Sequence, residues 1–470
     1  MTSTAQHTDP IFGTEAQGAG VTRRAFARGA AGLAGAAGAG VLAACGAGGS
    51  AQPAKKERTA AYTVRFMPLA NSAPWVQEQF DRFNKDVGPA LKVQLANEGV
   101  SGQAELWTKF QSTYAAGDPP DIARLKEIWV FEMFLKGAMA PLDGYFKTDK
   151  DFNAADLLPL YQDNFKYKGQ NYAIAREVSI IAGYYNKELF KQAGLDAEKP
   201  PETYDQFREY ARKLTKQGAT PQDTIWGFDP YEYGTREFVF LWPFLHMKRF
   251  GADFWNKEKS GVVLNTPIHV ESFGMFIDMI HKDRSTVPPG VGVPQSTAGG
   301  RTGKVAMWEQ GTWDIPLIPN VQPDLKFGVF LWPKKANQGH VPLAGSSALT
   351  KASKDPDAAW EFMKWWNSPD NQVGWYLNAG GNAPSRKSAY GKPPISDNPT
   401  WKPLLNAITT GGGNPRPMLE RYTELAESAI TPAWMKAFRG EVPAKEALDE
   451  STRAATAFWQ GMGGSAAKAL

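Results

Sequence analysis

Residues 62–122 alternate between two hydrophobic spacings. Tyr62–Met67 alternates apolar and polar residues, as a half-buried strand does, and residues 91–95 repeat that pattern. Apolar residues between these strands and after the second fall at helical spacing, and a third strand is predicted near Ile122. The order βαβαβ predicts a parallel sheet with right-handed crossovers.

Ligands of such sheets bind beyond the carboxyl ends of the strands, and this rule selects the first candidate site residues. They are Asn71 and Trp75 after the first strand, Glu98 after the second, and Trp129 in the loop 124–129 after the third. We expect these side chains to face one common edge of the sheet.

The stretch 167–195 breaks this alternation. Residues 172–185 form a run of β-branched and aromatic residues, which predicts one extended segment of about 14 residues that spans roughly 45 Å. Such a segment is longer than an ordinary strand, so it is predicted to leave one domain and enter another. Arg176 and Glu177 interrupt the run, and a buried charge pair is costly unless it lines a polar cleft. The alternative is an Arg/Glu pair at a sheet edge.

Residues 172–177, 184–190 and 193–195 resemble the first interlobe crossing of the extracellular solute-binding proteins of ABC importers, in the carbohydrate-binding group of that family. The resemblance implies an α/β fold of a specific kind, a two-lobed, periplasmic-binding-protein-like clamshell (type II) with three interlobe crossings. It also implies that Glu177 lies in the cleft, beside Arg176, and accepts hydrogen bonds from sugar hydroxyl groups.

Residues 303–313, with the sequence GKVAMWEQGTW, are similar to a second family segment. In that segment a short strand turns at a glycine and presents a tryptophan to the sugar. The resemblance implies that Trp313 is a ligand residue, with Trp308 and Glu309 as further candidates, and Gly311 permits the tight turn. A packing role is the alternative for Trp313.

Four further candidates come from loops and from a later crossing. Tyr231 belongs to the aromatic, charged loop 226–238, whose alternative role is to cover the core. Gly345 and Ser346 lie where the chain should cross back between the lobes, and they offer N–H and hydroxyl groups to a hydroxylated ligand. Tyr422 falls where several relatives bring contacts from a late helix.

Length and charge restrict the class of protein. At 470 residues the chain exceeds the size at which single cores stop growing, so two lobes are expected. The predicted lobes are 62–174 with 343–384, and 175–342 with 385–470. The net charge of +4 and the absence of a basic stripe argue against a nucleic-acid binder. The 16 tryptophans fit carbohydrate binding, because an indole face matches the C–H face of a pyranose, although most should fill the cores.

The N-terminal region has the pattern of an export signal. Arg23-Arg24 precedes a weakly apolar, Ala/Gly-rich run that ends at Cys45. The paired arginines resemble a twin-arginine signal and residues 42–45 resemble a lipobox, so residues 1–44 are predicted to be removed and Cys45 to carry the lipid. Residues 45–61 have linker composition. The alternative is a transmembrane anchor, for which the run is poor in large aliphatic residues.

Enzymatic patterns are weak in this sequence. The five histidines are scattered, and no metal, cofactor or catalytic residue is predicted. A glycosidase with paired carboxylates drawn from Glu98, Glu177 and Glu309 stays open as an alternative.

The prediction is therefore a monomeric, lipid-anchored, extracytoplasmic receptor that binds a mono- or oligosaccharide between its lobes. It delivers this ligand to the transmembrane subunits of an ABC permease. A non-sugar solute such as a polyol is an alternative ligand. Arg176 and Arg236 also leave an anionic ligand such as a sugar phosphate or glycerol phosphate open, because guanidinium groups suit anionic groups.

Overall fold

The protein is built on two β-sheets, and their order in the chain shows how the chain divides. The computed structural model describes residues 58–69, 74–230, 236–291, 303–337, 340, 342–379, 381–393, 395–409 and 417–462, without the side chains of residues 236–238 and 321. The strands of the described part are β1 (Tyr62–Met67), β2 (Val93–Asn97), β3 (Ile122–Ala123), β4 (Lys166–Tyr167), β5 (Gln170–Asn171), β6 (Ala173–Ser179), β7 (Ile181–Asn186), β8 (Trp226–Asp229), β9 (Val305–Gly311), β10 (Phe327–Phe330), β11 (Leu343–Leu349) and β12 (Ala383–Pro384).

Helices follow most of these strands and cover the sheets. Those of the described residues are α1 (Pro74–Arg82), α2 (Gly88–Leu91), α3 (Gln103–Ala115), α4 (Glu127–Leu135), α5 (Asp143–Thr148), α6 (Pro159–Gln162), α7 (Lys187–Gln192), α8 (Tyr204–Leu214), α9 (Arg236–Phe250), α10 (Pro267–His281), α11 (Asp314–Val321), α12 (Pro356–Trp366), α13 (Pro369–Asn378), α14 (Lys402–Thr409), α15 (Tyr422–Glu424), α16 (Thr431–Phe438) and α17 (Ala444–Gly461). Two π-helical segments, Phe83–Val87 and Leu425–Ile430, continue α1 and α15. Within the described ranges, none of the helices combines the length and the hydropathy of a membrane span.

The first sheet has six strands in the order β12-β6-β11-β3-β1-β2. β1 pairs in parallel with β2 and β3, which confirms the predicted βαβαβ arrangement. β11 runs antiparallel to both β3 and β6, and β12 runs antiparallel to β6. The carboxyl ends of β1, β2 and β3 therefore lie at one edge of the sheet, and β6 is covered on both sides by neighbouring strands.

The second sheet has four strands in the order β10-β7-β9-β8. β7 is antiparallel to β9 and β10, whereas β8 is parallel to β9. Residues 172–185, predicted as one long strand, form β6 of the first sheet and β7 of the second, with only Ile180 between them. The crossing is confirmed, and the single strand is corrected to two, because each half pairs with a different sheet.

Two later segments also connect the sheets. β10 belongs to the second sheet and β11 to the first, so the chain returns between residues 330 and 343. After β12 the chain leaves the first sheet again, and Tyr422 and Trp434 pack their rings on Phe240 of α9. The fold is thus a two-lobed α/β fold with three crossings, as the resemblance implied.

Local sequence sets the helix after the first crossing. The side chain of Asn186 caps α7 by accepting hydrogen bonds from the backbone N–H groups of Glu188 and Leu189, at 3.0 Å and 3.1 Å. Gly194 ends the helical region with a φ of +71°, a conformation that glycine adopts without strain. The change from strand to helix predicted at this point is therefore confirmed, and it fixes the direction in which the chain enters the second lobe.

Aromatic clusters form the core of each lobe. In the first lobe Phe66 of β1 contacts Phe80, Phe362 and Trp366 with ring centroids 5.2 to 6.0 Å apart. In the second lobe Trp242 stacks on Phe438 and meets Phe276 edge to face. Most tryptophans of the described residues therefore have a packing role, as the sequence predicted.

Candidate functional site

A buried ion pair marks the place where β6 meets β11. Nε of Arg124 donates to Oε1 of Glu177 at 2.6 Å, and Nη2 of Arg124 lies 2.5 Å from the same oxygen. Both side chains are less than a tenth exposed. Arg124 is the first residue after β3, so this pair lies at the carboxyl edge of the parallel strands, where α/β sheets bind ligands.

A β-bulge puts Arg176 and Glu177 in different surroundings. Glu177 is opposite Gly345 and Ala175 is opposite Ser346, which leaves Arg176 as the extra residue of β6. The Arg176 guanidinium lies 4.3 Å from the ring centroids of both Trp366 and Trp375. Nη1 of Arg176 is 3.6 Å from Oε2 of Glu177, so the two residues do contact each other, but this contact is longer than the one between Arg124 and Glu177. The alternative of a pair at a sheet edge does not hold, because β6 lies between β12 and β11.

Burial dominates the electrostatics of Arg176. Loss of hydration lowers the pKa of its guanidinium to about 9, with Arg124 acting in the same direction and Glu177 opposing. Nε and Nη2 of Arg176, Nη1 of Arg124 and Oε2 of Glu177 are buried and have no hydrogen-bond partner in the described part of the protein. These four atoms are the polar groups that a bound solute could satisfy.

Gly345 and Ser346 support this cluster rather than extend it. A Cβ atom on Gly345 would lie 2.1 Å from Oε1 of Glu177 and 2.7 Å from Nη2 of Arg124, so only glycine leaves room for the ion pair. The Ser346 hydroxyl donates to the Leu125 carbonyl at 2.9 Å and is fully buried. The hydroxyl predicted to meet the ligand is thus already used within the protein.

Lys126 and Trp129 belong to the predicted loop 124–129 after β3. Lys126 pairs by its backbone with Gly345, and its Nζ lies 4.9 Å from the centroid of the Trp129 ring. Trp129 is buried and stacks on Trp107 of α3, with centroids 5.0 Å apart and an interplanar angle of 4°. The predicted residue Trp129 is therefore a packed side chain of α4, held between Lys126 and Trp107.

A cavity lies between helices α3 and α4 of the first lobe and the segment 421–428 of the second lobe. Its volume is about 280 Å³. From the first lobe it is lined by Trp107, Gln111 and Glu132, and from the second by Arg421, Thr423 and Glu427. Trp107 is half-buried, so part of its ring faces the cavity.

Trp313 lies at the crossings and is also half-buried. Its indole ring folds back over Gly311, where an added Cβ would lie 2.1 Å from the ring. The ring also packs against the cluster of Ile181, Leu241 and Leu245, and Leu343, the first residue of β11, packs against the same cluster. Gly381 of the third crossing touches the Trp313 backbone, since a Cβ there would lie 2.2 Å from the carbonyl oxygen. The predicted turn at Gly311 thus places Trp313 beside the cluster that contains the first residue of β7 and against the third crossing.

Three other predicted residues lie inside the second lobe. Trp308 is fully buried and stacks on Tyr184 at 5.6 Å. Glu309 is fully buried, with Oε1 at 3.4 Å from Nε2 of His246 and 3.9 Å from Nη1 of Arg249. Tyr422 is buried against Phe240. Packing and charge pairing account for these positions, and direct ligand contact by the three residues stays a prediction.

Trp75 and Glu98 lie on the first lobe with partners of their own. The Trp75 ring lies over Gly374 and 5.9 Å from Trp366, so it borders the tryptophans around Arg176. Glu98 forms an ion pair with Arg65, Nε to Oε1, at 2.5 Å. The candidates Asn71 and Tyr231, the signal segment and Cys45 lie outside the described residues.

Arg124 and Trp107 are the site residues that the sequence did not single out. Arg124 begins the loop predicted after the third strand, and its position directly after a parallel strand was the available signal. Trp107 has apolar spacing with Phe110, which predicts only a packed helix face. Among the described residues, no group of His, Cys, Asp or Glu side chains has the arrangement of a metal site.

Comparison with known proteins agrees with this architecture. A family model described as bacterial extracellular solute-binding protein matches residues 68–373. The sn-glycerol-3-phosphate-binding periplasmic protein UgpB of Escherichia coli (strain K12) is 25% identical over 298 residues, which cover 59% of this chain and 64% of that protein. The maltotriose-binding protein of Pyrococcus abyssi is 22% identical over 262 residues, which cover 54% of this chain and 52% of that protein.

A solved structure shows the same fold. It is an ABC transporter solute-binding protein from Thermotoga lettingae, bound with α-D-tagatose. It superposes with a TM-score of 0.72 at 20% identity and covers 84% of this chain and 99% of that one. With the family model covering well over half of its length, this chain belongs to the bacterial extracellular solute-binding proteins, the binding components of ABC transporters.

Proposed function

We propose that the protein binds a carbohydrate between its two lobes and delivers it to the transmembrane subunits of an ABC permease. The observation that carries this proposal is the Arg124–Glu177–Arg176 cluster at the crossing. It offers one carboxylate oxygen and three guanidinium N–H positions that have no partner in the described part of the protein. Vicinal hydroxyl groups of a sugar, which both donate and accept, match such a mixed set.

Aromatic rings supply the second half of the proposed recognition. Trp313 packs beside Ile181, the first residue after the first crossing, and Trp107 stacks on Trp129 in the first lobe with part of its surface exposed. Indole rings match the apolar faces of pyranoses while the charged groups fix the hydroxyls. We therefore assign Glu177, Arg124 and Trp313 as the central ligand residues.

Closure by bending at the crossings is the proposed response to the ligand. Only Ile180 separates β6 of the first sheet from β7 of the second, so a small backbone rotation there changes the angle between the lobes. The closed state gains stability when one ligand touches both lobes, and the permease then recognises that shape. The lobe limits that we propose are 62–179 with 343–384, and 181–342 with 385–470. The predicted limit between residues 174 and 175 moves to Ile180, because all of β6 pairs within the first sheet.

Export and anchoring are part of the same proposal. The twin arginines and the lipobox before Cys45 support an extracytoplasmic, lipid-anchored protein, which we propose to be a monomer. Two or more acyl chains hold a protein stably at a membrane, whereas one is marginal. Fractionation of cells that produce Cys45→Ser tests this: the variant should leave the membrane fraction, and retention there would refute the anchor.

Geometry disfavours a hydrolase. Glu98 follows β2, and Glu177 belongs to β6. These two strands are four strand spacings apart in the first sheet, a distance of roughly 19 Å. Glycosidases place their two carboxyl groups about 5 to 10 Å apart. Glu309 belongs to the other sheet and faces His246. Incubation with oligosaccharides should release no reducing ends.

An anionic solute is the second candidate, and one observation favours it. Two guanidinium groups share a single carboxylate in a buried cluster, which leaves one positive charge in excess. A phosphate or carboxylate group would neutralise this charge and accept the remaining N–H groups.

A thermal-shift screen decides between the two candidates. A ligand that binds only the folded protein raises its melting temperature, so neutral sugars, polyols, sugar phosphates and glycerol phosphate are screened in parallel. The carbohydrate proposal expects neutral sugars to give the largest shifts, and the shift should disappear in Glu177→Gln. Shifts from phosphorylated compounds alone would overturn it in favour of the anionic candidate.

A further inference from the structure

The turn between β9 and α11 sets the position of the Trp313 ring. β9 ends at Gly311 and α11 begins directly after Trp313, so only Thr312 lies between the strand and the tryptophan. The indole ring folds back over Gly311 and lies directly on the backbone of that residue. Any group that fixes the Gly311 peptide therefore also limits the orientations open to the ring.

Three hydrogen bonds hold this turn. The Tyr184 hydroxyl donates to the Gly311 carbonyl oxygen at 2.7 Å, and the Gly311 N–H donates to Oε1 of Gln310 at 2.8 Å. The Thr312 N–H donates to the Ile180 carbonyl oxygen at 3.1 Å. Because Ile180 is the residue between β6 and β7, the turn is attached to the first crossing as well as to the second lobe.

Tyr184 reaches the turn from a distant position on the paired strand. It lies opposite Trp308 in the register of β7 and β9, whereas Gly311 lies opposite Ile181. Its fully buried ring stacks on Trp308 of β9 and on Phe327 of β10, with centroids 5.6 Å and 6.2 Å away and interplanar angles of 21° and 22°. Rings on both neighbouring strands thus hold the phenol in place, so its hydroxyl is presented to the turn with little loss of side-chain entropy on bonding.

Ring packing alone does not call for a tyrosine at this position. A phenylalanine could make the same stacking contacts, and a buried hydroxyl group is costly unless it is hydrogen-bonded. Here the acceptor is the carbonyl group at which β9 ends and the turn begins. The hydroxyl of Tyr184 therefore acts on the turn, whereas its ring acts on the core.

We propose that Tyr184 is a positioning residue for ligand binding: its hydroxyl fixes the Gly311 carbonyl and so holds the Trp313 ring in the orientation that receives the ligand. This inference rests on the proposed function, in which Trp313 is a ligand residue. Tyr184 is fully buried and acts only through the turn. The bond from Thr312 to Ile180 should keep the ring in register with the crossing when the lobes close.

Tyr185 provides a matched control at the neighbouring position of β7. It is also buried, and its hydroxyl donates to a backbone carbonyl oxygen, that of Ala197, at 3.0 Å. Its ring packs on Phe190, on the other face of the strand. Tyr184→Phe and Tyr185→Phe each remove one buried bond from a tyrosine to a carbonyl group, so both should lower the urea midpoint to a similar extent. Only the first bond acts on the turn between β9 and α11.

Fluorine NMR of the full-length protein labelled with 5-fluorotryptophan tests the positioning without any ligand. The Trp313 signal is assigned as the one that is missing from Trp313→Phe. Tyr184→Phe should shift or broaden this signal, because the ring then samples more than one orientation, whereas Tyr185→Phe should leave it in place. An unchanged Trp313 signal in Tyr184→Phe would overturn the proposal.

Calorimetry measures the consequence for binding. The probes are maltose, maltotriose, mannobiose and sn-glycerol 3-phosphate, titrated into the wild type and both variants. For each probe that binds the wild type, Tyr184→Phe should weaken binding by about fivefold or more, and Tyr185→Phe by less than about twofold. Equal weakening in the two variants, or unchanged affinity in Tyr184→Phe, would overturn the role of Tyr184 in binding.

The two measurements separate this inference from the proposed function. A wild type that binds none of the four probes would count against the proposed function, and the fluorine signal of Trp313 would still decide whether Tyr184 positions the ring. A probe that binds the wild type and loses affinity only in Tyr184→Phe, together with a changed Trp313 signal, would support both.

Discussion

Arg124 and Glu177 are 53 residues apart in the sequence, yet Nε of the arginine donates to the glutamate at 2.6 Å inside the first lobe. Arg124 follows β3 and Glu177 belongs to β6, and β11 separates these strands in the sheet. The pair can form across β11 only because Gly345 has no side chain at that point. The charged centre of the site thus depends on three strands that meet from distant parts of the chain.

Gly345→Ala should damage this pair. The added methyl group would lie 2.1 Å from Oε1 of Glu177, so the ion pair or the strand must shift. We expect the free energy of unfolding to fall by about 1 to 3 kcal/mol, as for other overpacked interiors. Urea denaturation measures this change in the free energy of unfolding. The matched control is Gly391→Ala, because a Cβ atom at Gly391 would meet open space. Equal stability of the two variants would contradict the packing assigned to Gly345.

Glu177→Gln should lower the free energy of unfolding more than Glu98→Gln does. The buried glutamate pairs with both Arg124 and Arg176, and its loss leaves two buried guanidinium groups without a countercharge, with an expected cost of about 3 to 5 kcal/mol in the free energy of unfolding. Glu98 pairs with Arg65 in a partly exposed position, so Glu98→Gln should cost no more than about 1 kcal/mol. Denaturant unfolding of both variants checks this order, and a reversed order would contradict it.

Trp313→Ala and Trp308→Ala should separate binding from stability. Trp313 is half-buried at the crossings, and its loss should weaken ligand binding by about 1 to 3 kcal/mol in calorimetry. Trp308 is fully buried against Tyr184, so its loss should lower the free energy of unfolding by about 3 to 5 kcal/mol. Unchanged affinity in Trp313→Ala would remove that residue from the site.

Stability should fall as the pH drops below about 6.5. Burial lowers the pKa of His269 to about 4, while its Nε2 lies 2.9 Å from the Asp253 carbonyl oxygen. Between pH 6.5 and pH 4 the unfolded chain binds a proton that the native state does not, so stability is full above pH 6.5 and is lost toward pH 4. The pKa values of His340 and His246 are lowered by burial in the same direction.

The contribution of His269 to this loss is about 3 kcal/mol. Urea unfolding gives the free energy of unfolding of the wild type and of His269→Gln at pH 8 and at pH 4.5. The contribution of His269 is the loss of stability between the two pH values in the wild type minus the same loss in the variant. The variant should lose less stability between these two pH values than the wild type. An identical loss in both proteins would show that His269 does not titrate on unfolding in this range.

Local pattern was enough to predict several features of the fold. Alternation at residues 62–67 and the run at 172–185 predicted the strands, because the period of apolar residues reports which faces are buried. The change to helical spacing after Asn186 predicted α7, since capping is decided by neighbouring residues. The motif around Gly311 predicted the turn that holds Trp313, because the constraint lies within three residues.

The sequence by itself therefore determined the two lobes, the position of the first crossing, and the presence of a charge pair within it. Only the tertiary structure decided that Glu177 is paired with Arg124 rather than with its neighbour, and that Trp107 faces a cavity whereas Trp308 fills a core. The physical reason is that periodicity reports on one strand or helix at a time. Charge partners and cavity walls are set by elements that lie far apart in the chain and meet only when both lobes have folded.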